Sequence, residues 1–194
     1  MLELQHGDEI WLIEESQKGS SEAFGRLYEL YAPRVFRFLF AHLEDRMDAE
    51  DLTIEVFSKV WQYIPYYDER GTPFSGFLFR VARNVLIDHY RRSNRLRQKE
   101  ALKEEFVDSS QSDPAEAFSS GMEHKELRIL LAQLREDYRS VLSYRFLAEL
   151  SPEETAYAMA KSPGAIRVLQ HRALAALRKL MAKREKAIDG KEVQ

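Results

Sequence analysis

The sequence predicts an all-α protein of two small helical domains joined by a flexible acidic linker. Apolar residues recur with the 3.6-residue period of a helix along most of the chain, and the alternation expected of a strand is absent. A length of 194 residues leaves room for two cores of about 80 to 100 residues each. Charge is laid out in three blocks. From Arg80 to Lys99, six Arg and one Lys stand against Asp88 alone, and from Lys161 to Lys186 eight basic residues stand against Glu185. The stretch between them, Glu100 to Leu127, is strongly acidic, so the net charge of -3 averages away two basic segments.

The elements follow in order. A short helix spans about Asp8 to Lys18 and stops at Gly19. Ser20 or Ser21 then caps a longer segment with an apolar stripe of Phe24, Leu27, Leu30, Tyr31, Val35, Phe36, Leu39 and Phe40, bent or restarted at Pro33. Asp48 begins the next helix, with Asp51 at the capping-box position and Leu52, Val56 and Val60 on its buried line. Tyr63 to Ser75, holding Pro65, Gly71 and Pro73, reads as a loop. A helix from Gly76 to about Arg92 buries Leu78, Val81, Ala82, Val85 and His89, and gathers Arg80, Arg83, Asn84 and Arg91 on another face. From about Arg97 to Gly121 periodicity dissolves into Gln, Ser, Asp and Glu. As a coil those residues span about 27 Å, and fully extended roughly 80 Å. Helices resume around Glu123 to Arg135 and Tyr138 to Glu149.

Two helix starts then fall about eleven residues apart. Ser151-Pro152-Glu153-Glu154 and Ser162-Pro163-Gly164-Ala165 each offer a Ser N-cap and Pro at the first helical position, and Glu154 completes a capping box. A helix of Glu153 to Met159 followed by one from Pro163 is a helix-turn-helix pattern, or an ordinary helical hairpin. The second helix sets Arg167, Gln170 and His171 along one side, while Ile166, Leu169, Ala173, Leu177 and Leu180 form an apolar side.

Several function classes are excluded. The chain has no cysteine, hence no disulfide, thiolate zinc site or Cys nucleophile. Its five histidines lack ligand spacing, and neither a nucleophile constellation nor a glycine-rich phosphate loop is present. An enzyme is not expected, nor a metal or cofactor. The apolar runs are too short to span a membrane and the acidic N-terminus lacks the positive flank of a signal peptide, which points to a soluble, cytoplasmic protein.

Two further features admit two readings. In the helix after Asp48, burial only partly explains Glu50, Asp51, Glu55, Phe57 and Trp61. They form a solvated charged face, or a docking surface mixing acidic groups with aromatic anchors for a basic partner. Tyr63, Tyr66, Tyr67, Phe74 and Phe77 are core plugs, or platforms for unstacked bases beside the arginines. Asn84 in the basic stripe both donates and accepts, which suits a base edge.

Taken together these residues resemble an extracytoplasmic-function sigma factor. The resemblance covers nearly the whole chain. It rests on Asp48-Ala49-Glu50-Asp51-Leu52 with Glu55-Val56-Phe57 and Val60-Trp61, on Phe77 through Arg92, and on Leu150 through Leu174. The resemblance implies region two over 1–96, a linker over 97–121, region four over 122–187, and a tail over 188–194. It implies that Asp48, Glu50, Asp51, Glu55, Phe57 and Trp61 bind core RNA polymerase. Tyr67, Phe74, Phe77, Arg80, Arg83, Asn84, Arg91 and Arg92 would meet the minus-ten element of promoter DNA. Ser162, Gly164, Arg167, Gln170, His171 and Arg172 would meet the minus-thirty-five element, Arg172 through a phosphate or a structural pair. An anti-sigma factor is the further partner it implies. Ala160 occupies the turn position where many helix-turn-helix proteins have Gly, a place that often needs positive φ. Val168 and Leu169 replace the small and basic residues of many relatives. The competing reading is a conventional helix-turn-helix regulator that never engages polymerase.

Overall fold

The computed structural model describes residues 6–43, 45–68, 72–101 and 119–189. Most of the expected linker, 102–118, and the end of the tail, 190–194, lie outside the described residues. Among those described, the regular elements are all helical.

The first group starts with α1 (His6–Gln17) and α2 (Ser21–Phe40). Ser20 caps α2 by accepting from the Ala23 N–H at 3.2 Å. Helix α2 runs without restart through Pro33, which removes the restart and leaves the bend of the two alternatives. Pro33 is exposed, so water can satisfy the Glu29 carbonyl that loses its donor. Helix α3 (Arg46–Tyr63) starts before Asp48, because Asp45 takes the N-cap and accepts from the Met47 N–H at 2.7 Å. Asp51 therefore lies within the helix, outside any capping box. What was expected as a loop after Tyr63 opens with a tight turn over Ile64–Tyr66. The Gln17 amide donates to the carbonyls of Ile64 at 3.1 Å and Tyr67 at 2.6 Å, tying that turn to α1. Helix α4 (Phe74–Ala101) begins ahead of Gly76 and continues past Arg92. Leu27, Val35, Leu39, Val56, Val60, Ile64, Leu78, Ala82 and Val85 are fully enclosed among these helices.

The second group comprises α5 (Ser119–Ala132), α6 (Glu136–Leu142), α7 (Pro152–Met159) and α8 (Pro163–Asp189). The helix expected over Tyr138 to Glu149 widens after α6 into a π turn over Ser143–Leu147, where the Ala148 N–H reaches the Ser143 carbonyl at 2.9 Å. It ends with Glu149 at φ 56° and the Leu150 N–H on the Tyr144 carbonyl at 3.0 Å, a left-handed stop one residue wider than a Schellman turn.

The two groups share a core. Tyr144 of the π turn is fully buried. It stacks on Phe38 of α2 with centroids 4.6 Å apart and meets Phe79 of α4 edge-on at 6.3 Å. Around these rings two guanidiniums of α2 hold the carbonyl end of the π turn. Arg34 Nε donates to the Ala148 carbonyl at 2.8 Å, Arg37 Nε to the Leu147 carbonyl at 3.0 Å, and Arg37 Nη2 pairs with Glu149 at 2.7 Å. Cations at a carbonyl terminus also offset the negative end of the helix dipole. On the other side α7 rests on the start of α4: Ser75 donates to Glu154, and a Cβ on Gly76 would stand 3.3 Å from Tyr157 Cδ1. A glycine lets the two helices approach there.

Candidate functional site

Three surfaces carry the candidate residues. On α3, Asp48, Glu50 and Asp51 are exposed. Glu55 is half-buried and accepts from Lys59 and Arg92, each at 3.0 Å. Burial pushes its carboxyl up, but the hydrogen bonds from Lys59 and Arg92 outweigh that and hold it below the usual value. Phe57 is a buried ring, edge-on to Tyr28 at 4.7 Å and Phe24 at 6.2 Å. Trp61 meets Phe24 at 4.8 Å yet stays 37% exposed. Met47 and Ile54 are also exposed. Ile54, four residues after Glu50 and seven before Trp61, extends an acidic and apolar strip that the sequence reading left incomplete. Its signal was an apolar residue lying off the buried line of Leu52, Val56 and Val60.

On α4, Arg80, Asn84, Arg91 and Arg92 are exposed and Arg83 is half-buried, positioned by the inward line of Leu78, Ala82 and Val85. Arg91 lies 3.5 Å from Asp88, Arg92 holds Glu55, and Arg80 sits 5.3 Å over the Tyr157 ring of α7. The aromatic residues divide. Tyr67 and Phe74 are buried and Phe77 is half-buried, with Tyr67 at 5.7 Å from Phe74 and 5.1 Å from Phe77. The Tyr67 hydroxyl donates to the Thr72 carbonyl at 2.5 Å. In this arrangement those rings plug the head of α4. The exposed rings are Tyr63 and Tyr66, the latter 85% accessible; both belonged to the aromatic stretch but not to the residues assigned to DNA.

On the third surface, α7 and α8 form the helix-turn-helix. The Ser151 hydroxyl accepts from the Glu154 N–H at 3.1 Å and Glu154 returns to the Ser151 N–H at 2.5 Å, a complete capping box. Burial pushes the Glu154 carboxyl up, but the hydrogen bonds from Ser75 and Ser151 prevail and lower it. Helix α7 ends at Ala160 with φ 52°, and the Lys161 N–H closes on the Ala156 carbonyl at 2.9 Å. The positive φ anticipated at this turn is present without Gly, at a cost of about 1 to 2 kcal/mol. Ser162 caps α8 through the Ala165 N–H at 3.2 Å, and Gly164 faces open space. Buried Ile166 and Ala173 fix the rotation of α8, so Arg167, His171 and Arg172 are exposed. Arg167 pairs with Glu153 at 3.0 Å, a contact that other anions can replace. Half-buried Gln170 accepts at Oε1 from Arg145 Nε at 3.0 Å.

Two family models cover the helices that carry these surfaces. The Sigma-70 region 2 model matches residues 27–96 and the Sigma-70, region 4 model matches residues 130–179. The ECF RNA polymerase sigma factor ShbA of Streptomyces griseus is 31% identical over 177 residues, covering 87% of this chain and 93% of its own.

The chain belongs to the extracytoplasmic-function sigma factors.

It is accordingly a transcription initiation factor with no enzymatic role, serving core RNA polymerase and promoter DNA. The sigma factor is also 33% identical to BldN of Streptomyces coelicolor over 172 residues, which is 88% of this chain but 64% of BldN. Its fold matches that of RpoE from Bartonella quintana, solved with the anti-sigma factor NepR, at a TM-score of 0.65 and 23% identity over 82% of this chain and 96% of that one. No described helix is long and apolar enough to cross a membrane, and the described residues hold no cluster of His, Cys, Asp and Glu suited to a metal.

Proposed function

We propose a division of labour among the three surfaces, in a cytoplasmic sigma factor. The strip of Asp48, Glu50, Asp51, Glu55 and Trp61, joined by Ile54, docks on core polymerase; Phe57 supports it from beneath. Acidic groups around partly exposed apolar side chains suit a basic partner, the charges speeding and orienting encounter and the apolar groups supplying contact. Residues 122–187 read the upstream duplex through α8. Arg167, Gln170 and His171 meet the major groove, and Ser162, Gly164 and Arg172 lie against the backbone. Residues 1–96 hold the unwound strand along α4, with Arg80, Arg83, Arg91 and Arg92 toward phosphates and Asn84 toward a base. Exposed Tyr63 and Tyr66 offer stacking faces, while Tyr67, Phe74 and Phe77 shape the head of α4.

The exposure of Asn84 within an arginine face on an otherwise anchored helix is the observation that supports this most. Region four, packed on region two through Tyr144 and Tyr157, has to part from it for α8 to reach a separate promoter element. By its likeness to RpoE, an anti-sigma factor is the proposed inhibitory partner. Asn84→Ala tests base capture. Permanganate reactivity of the melted strand should fall about tenfold, the loss of one good base contact, while the closed-complex footprint stays unchanged. Equal loss of both would count against the role.

A further inference from the structure

Arg145 belongs to no candidate set, yet it joins three parts of region four. It leaves the π turn, donates through Nη1 to the Leu150 carbonyl just before the α7 cap, and donates through Nε to Gln170 Oε1 of α8 at 3.0 Å. A guanidinium has donors only, so the amide it contacts must turn its oxygen inward and its NH2 outward. Free Gln is ambivalent because it can rotate to show either end. Here the rotation is settled by a residue that is itself half-buried and held at a second point.

We propose that Arg145 is a specificity-determining positioning residue, fixing Gln170 so that it offers only N–H donors to the upstream promoter element. The proposal rests on the reading that α8 contacts that element. In the major groove, adenine is read by a Gln that accepts from N6 while donating to N7, and cytosine presents only a donor at N4. An amide whose oxygen is turned toward Arg145 has nothing for cytosine N4, and at adenine it can donate to N7 only by setting its second N–H against the N6 donor. Guanine, with acceptors at both O6 and N7, fits two outward N–H groups best, and thymine O4 fits one. The base facing Gln170 is therefore guanine, or thymine in second place.

The test is selection of the upstream element from randomised duplexes by core polymerase carrying the full-length sigma factor. Wild type should require guanine or thymine at one position, and Gln170→Ala should erase the requirement there alone. Arg145→Met, which frees the amide to reverse, should raise adenine at that position by about tenfold, one bidentate contact. Arg145→Lys, retaining a donor, should restore the original preference in part. Gln170→Glu keeps the bond to Arg145 but removes the outward donors, so guanine should be lost and cytosine gained; this variant leaves Arg145 and its grip on Leu150 in place. If Gln170→Ala leaves every position unchanged, the reading of α8 at this residue fails. If Gln170→Ala erases one position but Arg145→Met leaves adenine rejected there, or Gln170→Glu still selects guanine, the proposal on Arg145 is overturned.

Discussion

Tyr144 sits where the two regions meet, and two substitutions there should move stability in opposite directions. Its ring is enclosed by Phe38 and Phe79, but its hydroxyl is buried and has no hydrogen-bond partner among the described residues. Burial also pushes its phenol pKa well above the ordinary value. A buried hydroxyl without a partner costs roughly 1 to 3 kcal/mol. Tyr144→Phe keeps the stacking, removes that cost, and should stabilise the protein by about 1 kcal/mol. That corresponds to roughly 2 to 4 °C in Tm for a chain of this size. Tyr144→Ala instead removes a ring shared by both regions and should cost about 3 to 5 kcal/mol. Urea unfolding followed by circular dichroism checks both, with the slope of the transition unchanged in the Phe variant. A Phe variant less stable than wild type by 1 kcal/mol or more would refute the reasoning, because the hydroxyl would then be making a hydrogen bond. An Ala variant with wild-type stability would show that the regions do not share this core.

Two other outcomes follow from the same packing. His42 is buried, with Nδ1 donating to the Phe38 carbonyl at 2.8 Å; burial, aided by the Arg139 charge, lowers its pKa from 6.5 to about 4. The folded protein therefore resists a proton that the unfolded chain accepts. This contribution is fully present above 6.5, and is lost as pH falls toward 4, by about 2 kcal/mol between pH 7 and 5. Denaturation at the two pH values should show His42→Leu losing that much less than wild type; equal losses would place His42 in water. Gly76→Leu should destabilise by about 1 to 3 kcal/mol through Tyr157, whereas Gly76→Ala should be near neutral as helix propensity offsets a tight contact. A Leu variant of wild-type stability would mean that α7 does not rest on α4.

The helix starts were legible because caps are local chemistry. Ser20, Ser151 with Glu154, and Ser162 each satisfy N–H groups within three residues, whereas the αL turn at Ala160 was expected only through the resemblance to helix-turn-helix proteins that carry Gly there. The start of α3 was misread because Asp45 and Asp48 are both plausible caps, and nothing local separates them. The π turn was hidden because its unusual backbone is held from outside, by Arg34 and Arg37 more than a hundred residues earlier. The same limit applies to the site. Asn84 and the arginine face could be placed from helical periodicity, since α4 is anchored by its own apolar line. Which aromatic rings are buried depended on Tyr31 meeting Phe74 across the bundle at 5.5 Å, a contact without sequence signature. Arg145 was invisible for a related reason: its partner Gln170 lies on another helix, and one arginine among the 29 Lys and Arg of the chain draws no notice by composition.

Run-off transcription with purified core polymerase, on DNA from the region upstream of the sigma factor's own gene and on promoters selected by the holoenzyme, tests the central claim most directly. A discrete transcript that requires both the sigma factor and a defined pair of promoter elements is the predicted result. Tight binding of the free protein to duplex DNA, with no transcript from any of these templates, would contradict it.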